Sequence, residues 1–307
     1  MKTKNRRDFI KDLGMLTAGA GLASLLPLES FSIGKKETFQ ISLAEWSLHN
    51  TLFAKKLNNL EFPLKAKKDF GIDIVEYVSV FFDGKEKDPA YLKELKNRTD
   101  SEGIQNHLIM VDREGNLGDL DSKARLTAVE NHYKWVEAAK YLGCKTIRVN
   151  AAGKGTAEEV KAAAIDGLGR LTEYGKKHKI NVIVENHGGY SSDGKWLSAV
   201  IKEVNSPFCG TLPDFGNFGL GNGKEYDKYL GVQEMMPFAK GVSAKAMKFN
   251  ADGEESDIDY SRMFSIIRAA KWSGIVGIEY SGGSVELEDE GIRKTKALLE
   301  KVFKQGK

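Results

Sequence analysis

The sequence predicts an α/β protein folded as a single (β/α)8 TIM barrel. Apolar segments of strand length alternate along most of the chain with segments of helical character, and polar residues able to do chemistry stand where those strands finish. The runner-up, an open doubly wound sheet, would want a Gly-x-Gly-x-x-Gly after its first strand, and there is none.

Phe39 to Ala44 is the first strand and ends in Glu45-Trp46-Ser47. Phe62 to Phe70 reads as a short helix, after which Gly71 turns the chain into the second strand, Ile72 to Val80, with Glu76 inside it. Pro89 opens a charged helix to Glu102 behind a fitting cap, Asp88, and Gly103 closes it before the third strand, Ile104 to Val111, which carries His107. An amphipathic helix from Ser122 to Leu142 ends at Gly143 and leads to the fourth strand, Lys145 to Asn150. Thr156 begins the next helix, with Glu158 and Glu159 in its first turn and Lys176, Lys177 and His178 in its last, the distribution that the helix dipole favours.

The fifth strand, Ile180 to His187, is an apolar run that ends in a carboxylate, an amide and an imidazole. Strand side chains alternate, so Glu185 and His187 share one face and Asn186 takes the other. A modest helix from Lys195 to Val204 precedes the sixth strand, Phe208 to Phe215, with Asp214 near its end. Glu225 to Ala239 is mostly helix, broken by Pro237, and Gly241 to Phe249 is the seventh strand, with Lys245. Ile258 to Trp272 is helical, Val276 to Ser281 is the eighth strand, with Glu279, and Glu288 to Phe303 closes the chain as an amphipathic helix.

The first 32 residues read differently. Asn5-Arg6-Arg7-Asp8-Phe9-Ile10-Lys11 precedes an uncharged stretch from Leu13 to Leu28, resembling a twin-arginine export signal with Asn5 where Ser or Thr is more usual. Ser30-Phe31-Ser32 offers small residues for cleavage after Ser32, followed by a linker over 33–37 and the barrel over 38–307. The expectation is export to the periplasm through the Tat machinery, an uncleaved membrane anchor being the alternative. The signal holds five basic and three acidic residues, so the formal charge of +3 falls to about +1 in the body. A near-neutral body argues against a nucleic-acid partner, and no second long apolar segment predicts a membrane span in the mature form. Cys144 and Cys209 read as two buried small hydrophobes, and neither has a metal-binding spacing.

The strand ends collect Glu45, Glu76, His107, Arg148, Asn150, Glu185, His187, Asp214, Lys245 and Glu279. Glu185, Asp214 and Glu279 follow apolar residues that must be buried, where a carboxylate is costly unless it meets a cation or a metal. Arg148, Lys245 or Lys248 could neutralise them by salt bridges, and Glu76 with Arg148 could form an interior pair. His107 fits either the pocket or a hydrogen-bonded core, while His49, His132 and His178 read as solvent-facing or capping groups. Trp46, Phe81 and Tyr190 lie just past strand ends, where aromatic faces hold sugar rings or simply pack.

Val-Glu-Asn-His-Gly-Gly around Glu185, Pro-Asp-Phe-Gly-Asn around Asp214 and Gly-Ile-Glu-Tyr around Glu279 resemble the xylose isomerase-like barrel superfamily, often labelled sugar phosphate isomerase/epimerase, over about residues 38 to 303. The resemblance implies one divalent metal held by Glu185, Asp214 and Glu279. The family's strand-seven His falls at Ser243, so His187 stands as an alternative ligand, or the site keeps three. Oxygen ligation would suit manganese or magnesium, and an added imidazole zinc or cobalt. It further implies proton movement next to a carbonyl, with Glu185 and Glu279 as acid and base and Lys245 polarising the sugar oxygens; His107, Asn150, His187 and Trp46 are the candidate substrate contacts. Relatives with a multi-zinc nuclease site carry more histidines, including one where this chain has Asn217, which points away from a nuclease.

An exported enzyme meets unphosphorylated sugars, so the expected reaction is isomerisation or epimerisation of a keto-sugar. A lyase or hydratase acting on 3-keto-glycosides at the same site is the alternative, and a non-catalytic sugar-binding barrel is the reading from a different class.

Overall fold

The computed structural model describes residues 38–305; the export signal and linker expected at residues 1–37 lie outside the described residues. The predicted barrel is present. Its strands are β1 (Phe39–Ala44), β2 (Ile74–Val78), β3 (Gln105–Met110), β4 (Thr146–Val149), β5 (Asn181–Glu185), β6 (Cys209–Leu212), β7 (Val242–Ala246) and β8 (Gly274–Tyr280). They form one parallel sheet in the order β6-β5-β4-β3-β2-β1-β8-β7. Each is followed by a helix: α1 (Phe62–Phe70), α2 (Pro89–Ser101), α3 (Ser122–Leu142), α4 (Ala157–His178), α5 (Gly194–Val204), α6 (Lys228–Met235), α7 (Tyr260–Ala269) and α8 (Val285–Lys304).

The seam between β6 and β7 is held by two isolated bridges, Thr211 with Ala239 and Asp214 with Ser243. Pro213 explains the sparse ladder, since it has no N–H to give, although its carbonyl still accepts from Ser243 N at 2.9 Å. The same proline stops β6 before Asp214, which the sequence had placed within the strand. Helix starts follow side-chain chemistry: Asp88, Asp121, Thr156, Asp193, Asp227 and Asp259 each accept from backbone N–H groups of the next helix. Glu159 reaches back to Thr156 and completes a capping box. The segment expected to be helical from Glu225 instead begins with a small hairpin, Gly219–Gly221 with Lys224–Glu225, and helix begins only at Lys228. The short helix His49–Phe53 was not foreseen.

Alternation sorts the strands into two environments. Leu43, Val75, Tyr77, Ile109, Ile147, Val149, Val182, Val184, Ala244 and Ile278 face the helices and join the main core, each large aliphatic contributing about 1.5–3 kcal/mol. Inside the barrel, Ala44, Val78, Leu108, Met110, Ile183 and Leu212 form a small separate apolar layer, and the other inward positions are polar. Glu76 is one of them. It accepts from Ser42 Oγ at 2.6 Å, and it fits because Gly277 opposite lacks a side chain: a Cβ there would stand 2.8 Å from the carboxylate oxygens. The expected Glu76–Arg148 pair is therefore replaced by a hydroxyl contact, and Arg148 turns to other partners. Both cysteines are free and buried. His132, expected to face solvent, is 3% exposed with Nδ1 donating to Ala128 O at 2.7 Å within its own helix. Among the described residues no helix is long and apolar enough to cross a membrane.

Candidate active site

Three buried carboxylates converge at the C-terminal mouth of the barrel. Glu185 ends β5, Asp214 follows β6 and Glu279 lies in β8, with one oxygen of each within 4.8 Å of the others. Ser243, where the resemblance led one to expect a histidine, fills the space between two of them: its Oγ lies 2.6 Å from Asp214 Oδ2 and 3.1 Å from Glu279 Oε2.

Asp214 is fixed on every side. Its Oδ1 accepts from Gly216 N and Asn217 N, both at 2.9 Å, and Asn186 pairs with its backbone, accepting from Asp214 N at 2.7 Å and donating to Asp214 O at 3.0 Å. Asn186 thus acts on the face away from Glu185, as the strand period requires. Asn217 Nδ2 donates to Glu185 Oε1 at 2.9 Å. Lys245 reaches in from β7 to bond Glu279 and stands 3.8 Å from Asp214 Oδ2. Arg148 Nε lies 2.7 Å from Glu185 Oε2 but off the line of a hydrogen bond, so that oxygen is buried, ion-paired and without a hydrogen-bond donor.

The charge balance is uneven. Burial pushes Glu185 and Asp214 up to about 7, with Arg148 and Lys245 respectively pulling the other way. Burial also works against Glu279, but Lys245, together with Arg148 and His187, holds that carboxyl below its ordinary range. Burial likewise raises Glu76 to about 7, one layer deeper. A pocket in which buried carboxyls resist ionisation despite two cations is one where a further cation is favoured. The donor set is all oxygen, its members are poised within one ion's reach, and Glu185 Oε2 is open to another partner; these residues fit a hard divalent metal.

Above the carboxylates opens a cavity of about 310 Å³, whose walls include Trp46, Asp112, Arg148, His187, Lys245 and Glu279. His187 points into this wall and is not part of the carboxylate cluster. Asp112 Oδ1 accepts from Arg148 Nη1 at 2.8 Å and from Asn150 Nδ2 at 2.7 Å. With its amide committed, Asn150 offers Oδ1 to His187 Nδ1 at 3.1 Å, which makes Nδ1 the donor and leaves Nε2 as an acceptor. Ring burial, reinforced by Arg148, lowers the His187 pKa although part of the residue meets solvent. Asp112 was missed in the sequence because it lies one residue past the apolar run of strand three.

Of the expected substrate contacts, Trp46 and His187 line the cavity and Asn150 orients His187, but His107 belongs elsewhere. It sits in the N-terminal half of β3, the extra residue of a bulge opposite Val75 and Glu76, and lines no part of this cavity. Its Nδ1 is buried without a partner, and burial lowers its pKa to about 4. Tyr190 is also away from the cavity: its hydroxyl donates to Gly155 O at 2.8 Å and its ring stacks on Trp196.

Residues 64–302 match the family described as xylose isomerase-like TIM barrel. The chain belongs to that family. Among solved structures, it resembles L-ribulose 3-epimerase at TM-score 0.69 and 13% identity, covering 87% of this chain and 95% of that one. The IOLI protein with a bound zinc atom gives 0.64 at 16% identity over 86% and 97%. The 3-keto-D-glucoside 4-epimerase from E. coli gives 0.61 at 15% identity over 87% and 100%. At such identities this family member shares the fold with these proteins. No curated protein matches it by sequence.

Proposed function

We propose that this family member is a metal-dependent sugar isomerase or epimerase that moves a proton on the carbon next to a carbonyl of an unphosphorylated keto-sugar. The observation that carries the reading is the convergence of Glu185, Asp214 and Glu279 within 4.8 Å below a cavity of about 310 Å³. These three residues would hold one divalent ion, manganese or magnesium from their all-oxygen character, with zinc or cobalt as alternatives. When bound, such an ion supplies Lewis-acid polarisation of a carbonyl and its neighbouring hydroxyl.

The chain's own residues supply the rest. Glu279, kept ionised by Lys245, takes the proton from the carbon, and Glu185, raised by burial, returns one from the end of β5. Lys245 faces the cavity and polarises the sugar oxygens; Trp46 covers a ring face, and His187 Nε2 accepts from a hydroxyl. The solved epimerases that share the fold support a sugar as substrate. The twin-arginine pattern supports action in the periplasm on a sugar without phosphate. A lyase or hydratase on a 3-keto-glycoside would use the same first proton and differ in the neighbouring oxygen leaving.

Solvent deuterium exchange tests the reading. The purified chain with manganese should wash deuterium from D2O into the position beside the carbonyl of at least one keto-sugar, and a chelator should stop it. No exchange across a panel of ketoses and keto-glycosides would contradict it, while exchange accompanied by loss of the aglycone would assign the lyase.

A further inference from the structure

We propose that the mouth of the barrel carries a second subsite, built by Phe53 and Phe81 beside Trp46, that takes the outer ring of a glycoside whose keto-sugar ring sits over the carboxylates. This rests on the sugar reading above and narrows it from free monosaccharides to glycosides.

The aromatic surface is continuous with the inner cavity. Trp46 lines that cavity, and its ring centroid lies 6.2 Å from Phe53 and 6.4 Å from Phe81, which are 5.1 Å from each other. Phe53 and Phe81 in turn line an adjoining hollow of about 390 Å³ together with Asn58, Asn59 and Asp83. The inner cavity, at about 310 Å³, stands at the small end of ligand sites, so one ring fills it and a larger substrate must extend outward. Aromatic faces beside amide and carboxylate groups suit a ring with an apolar face and hydroxyl edges.

Two features mark the surface as built for a ligand. Phe53 is 52% exposed, yet the short helix that carries it is clamped. Glu288 in α8, itself fully buried, accepts from Asn50 N at 2.7 Å, Thr51 N at 3.1 Å and Thr51 Oγ1 at 2.6 Å, and so satisfies the helix N-terminus from far along the chain. His49 Nδ1 donates to Trp46 O at 2.8 Å, and its ring stacks on the Trp46 indole at 4.7 Å, which locks the tryptophan. Holding an exposed phenyl ring rigid removes the ordering cost that a ligand would otherwise bear. Secondly, Asn59 lines the hollow at 3% exposure; its Nδ2 donates to Tyr91 Oη at 2.9 Å, and its Oδ1 has no partner. A buried amide oxygen without a donor is costly, and a small turn of the Asn59 amide on binding would bring it to a ligand hydroxyl in the hollow.

The test pairs chemistry with binding on the full chain loaded with manganese. Deuterium exchange is compared for 3-keto-glucose and phenyl 3-keto-glucoside, in wild type and in Phe53→Ala, whose exposed position lets the variant fold. The expected result is a kcat/KM for the glycoside that falls roughly three- to tenfold in Phe53→Ala, through KM, with the free keto-sugar unchanged. Equal effects on both substrates, or none on either, would overturn the subsite. Binding of phenyl glucoside, read by tryptophan fluorescence, measures the platform without chemistry. It should weaken by the same factor in Phe53→Ala, and absence of binding to wild type would overturn the proposal. If exchange fails on both substrates but this Phe53-dependent binding persists, the proposed reaction is wrong and the subsite stands. Sedimentation separates one rival: if wild type is a dimer that Phe53→Asp converts to monomer, the rings belong to a contact between copies and the subsite is rejected.

Discussion

The two halves of the barrel mouth differ in charge balance. Strands β5 to β8 and their ends deliver Glu185, Asp214, Ser243, Lys245 and Glu279, all buried; the last four are joined by hydrogen bonds and ion pairs, and Glu185 is held by Asn217 and Arg148. Strands β1 to β4 deliver Trp46, Asp112 and Arg148 to the wall, together with Asn150, and reach the other half through Arg148 and through the Asn150–His187 contact. The first half sets three carboxylates against one lysine where water is excluded, the setting that favours a further cation. The second sets the Trp46 indole and the Asn150 amide beside the Arg148–Asp112 ion pair, whose charges match. The difference teaches that chemistry and recognition are separable here, and substitutions in the two halves should show different kinetic signatures.

The largest effect is expected in the acidic half. Glu279→Gln and Asp214→Asn should each lower the rate of deuterium exchange by about a thousandfold or more, since the first removes the proposed base and the second a proposed metal ligand. If Glu279→Gln still exchanges normally, the base lies elsewhere. Next comes the residue that joins the halves. Arg148→Met strands Glu185 without its cation and should destabilise the metal-free protein by about 3–5 kcal/mol in urea unfolding near neutral pH. An unchanged midpoint would show that Glu185 is already neutral.

The raised carboxyls also set a pH dependence. Glu76, Glu185 and Asp214 have folded values of about 7, above their unfolded ones, so their contribution to stability is complete below about 4. It is lost as pH rises through about 7, where the metal-free protein should melt at lower temperature. Added manganese should reverse the trend, raising the melting temperature more at pH 8 than at pH 6, because ligation needs the deprotonated carboxylates. A metal shift independent of pH would mean that these groups are not the ligands. Ser243→His supplies the missing imidazole between Asp214 and Glu279 and should tighten zinc binding about tenfold, measured by competition with a chromogenic chelator. Smallest is the recognition half: Asn150→Ala should raise KM a few-fold, equivalent to about 1 kcal/mol, and leave kcat nearly unchanged, as it frees His187 to turn.

Legibility from sequence followed the same division. Apolar runs, Gly71, Gly143 and the Asp88 and Thr156 caps made all eight strands visible, because burial and capping leave local signatures. Glu185 and Glu279 stood out as charges ending buried strands. What local pattern does not encode is the partner of an interior group: the sequence allows Arg148 to pair with Glu76 or with the strand-end carboxylates, and Ser42 with the space at Gly277 receives Glu76 while Arg148 meets Glu185. His107 is counted with the strand ends although it lies in the first half of its strand, and the bulge that sets its depth leaves no mark in composition. The Glu288 clamp joins segments more than 230 residues apart and has no local signature. Asp112 was within reach, being a carboxylate just past an apolar run.

Calorimetric titration of the full chain with manganese at pH 8 tests the central claim most directly. One ion should bind per chain, with binding lost in Asp214→Asn and weakened at pH 6. No bound ion, with wild type and Asp214→Asn giving the same trace, would contradict the reading of Glu185, Asp214 and Glu279 as a metal site.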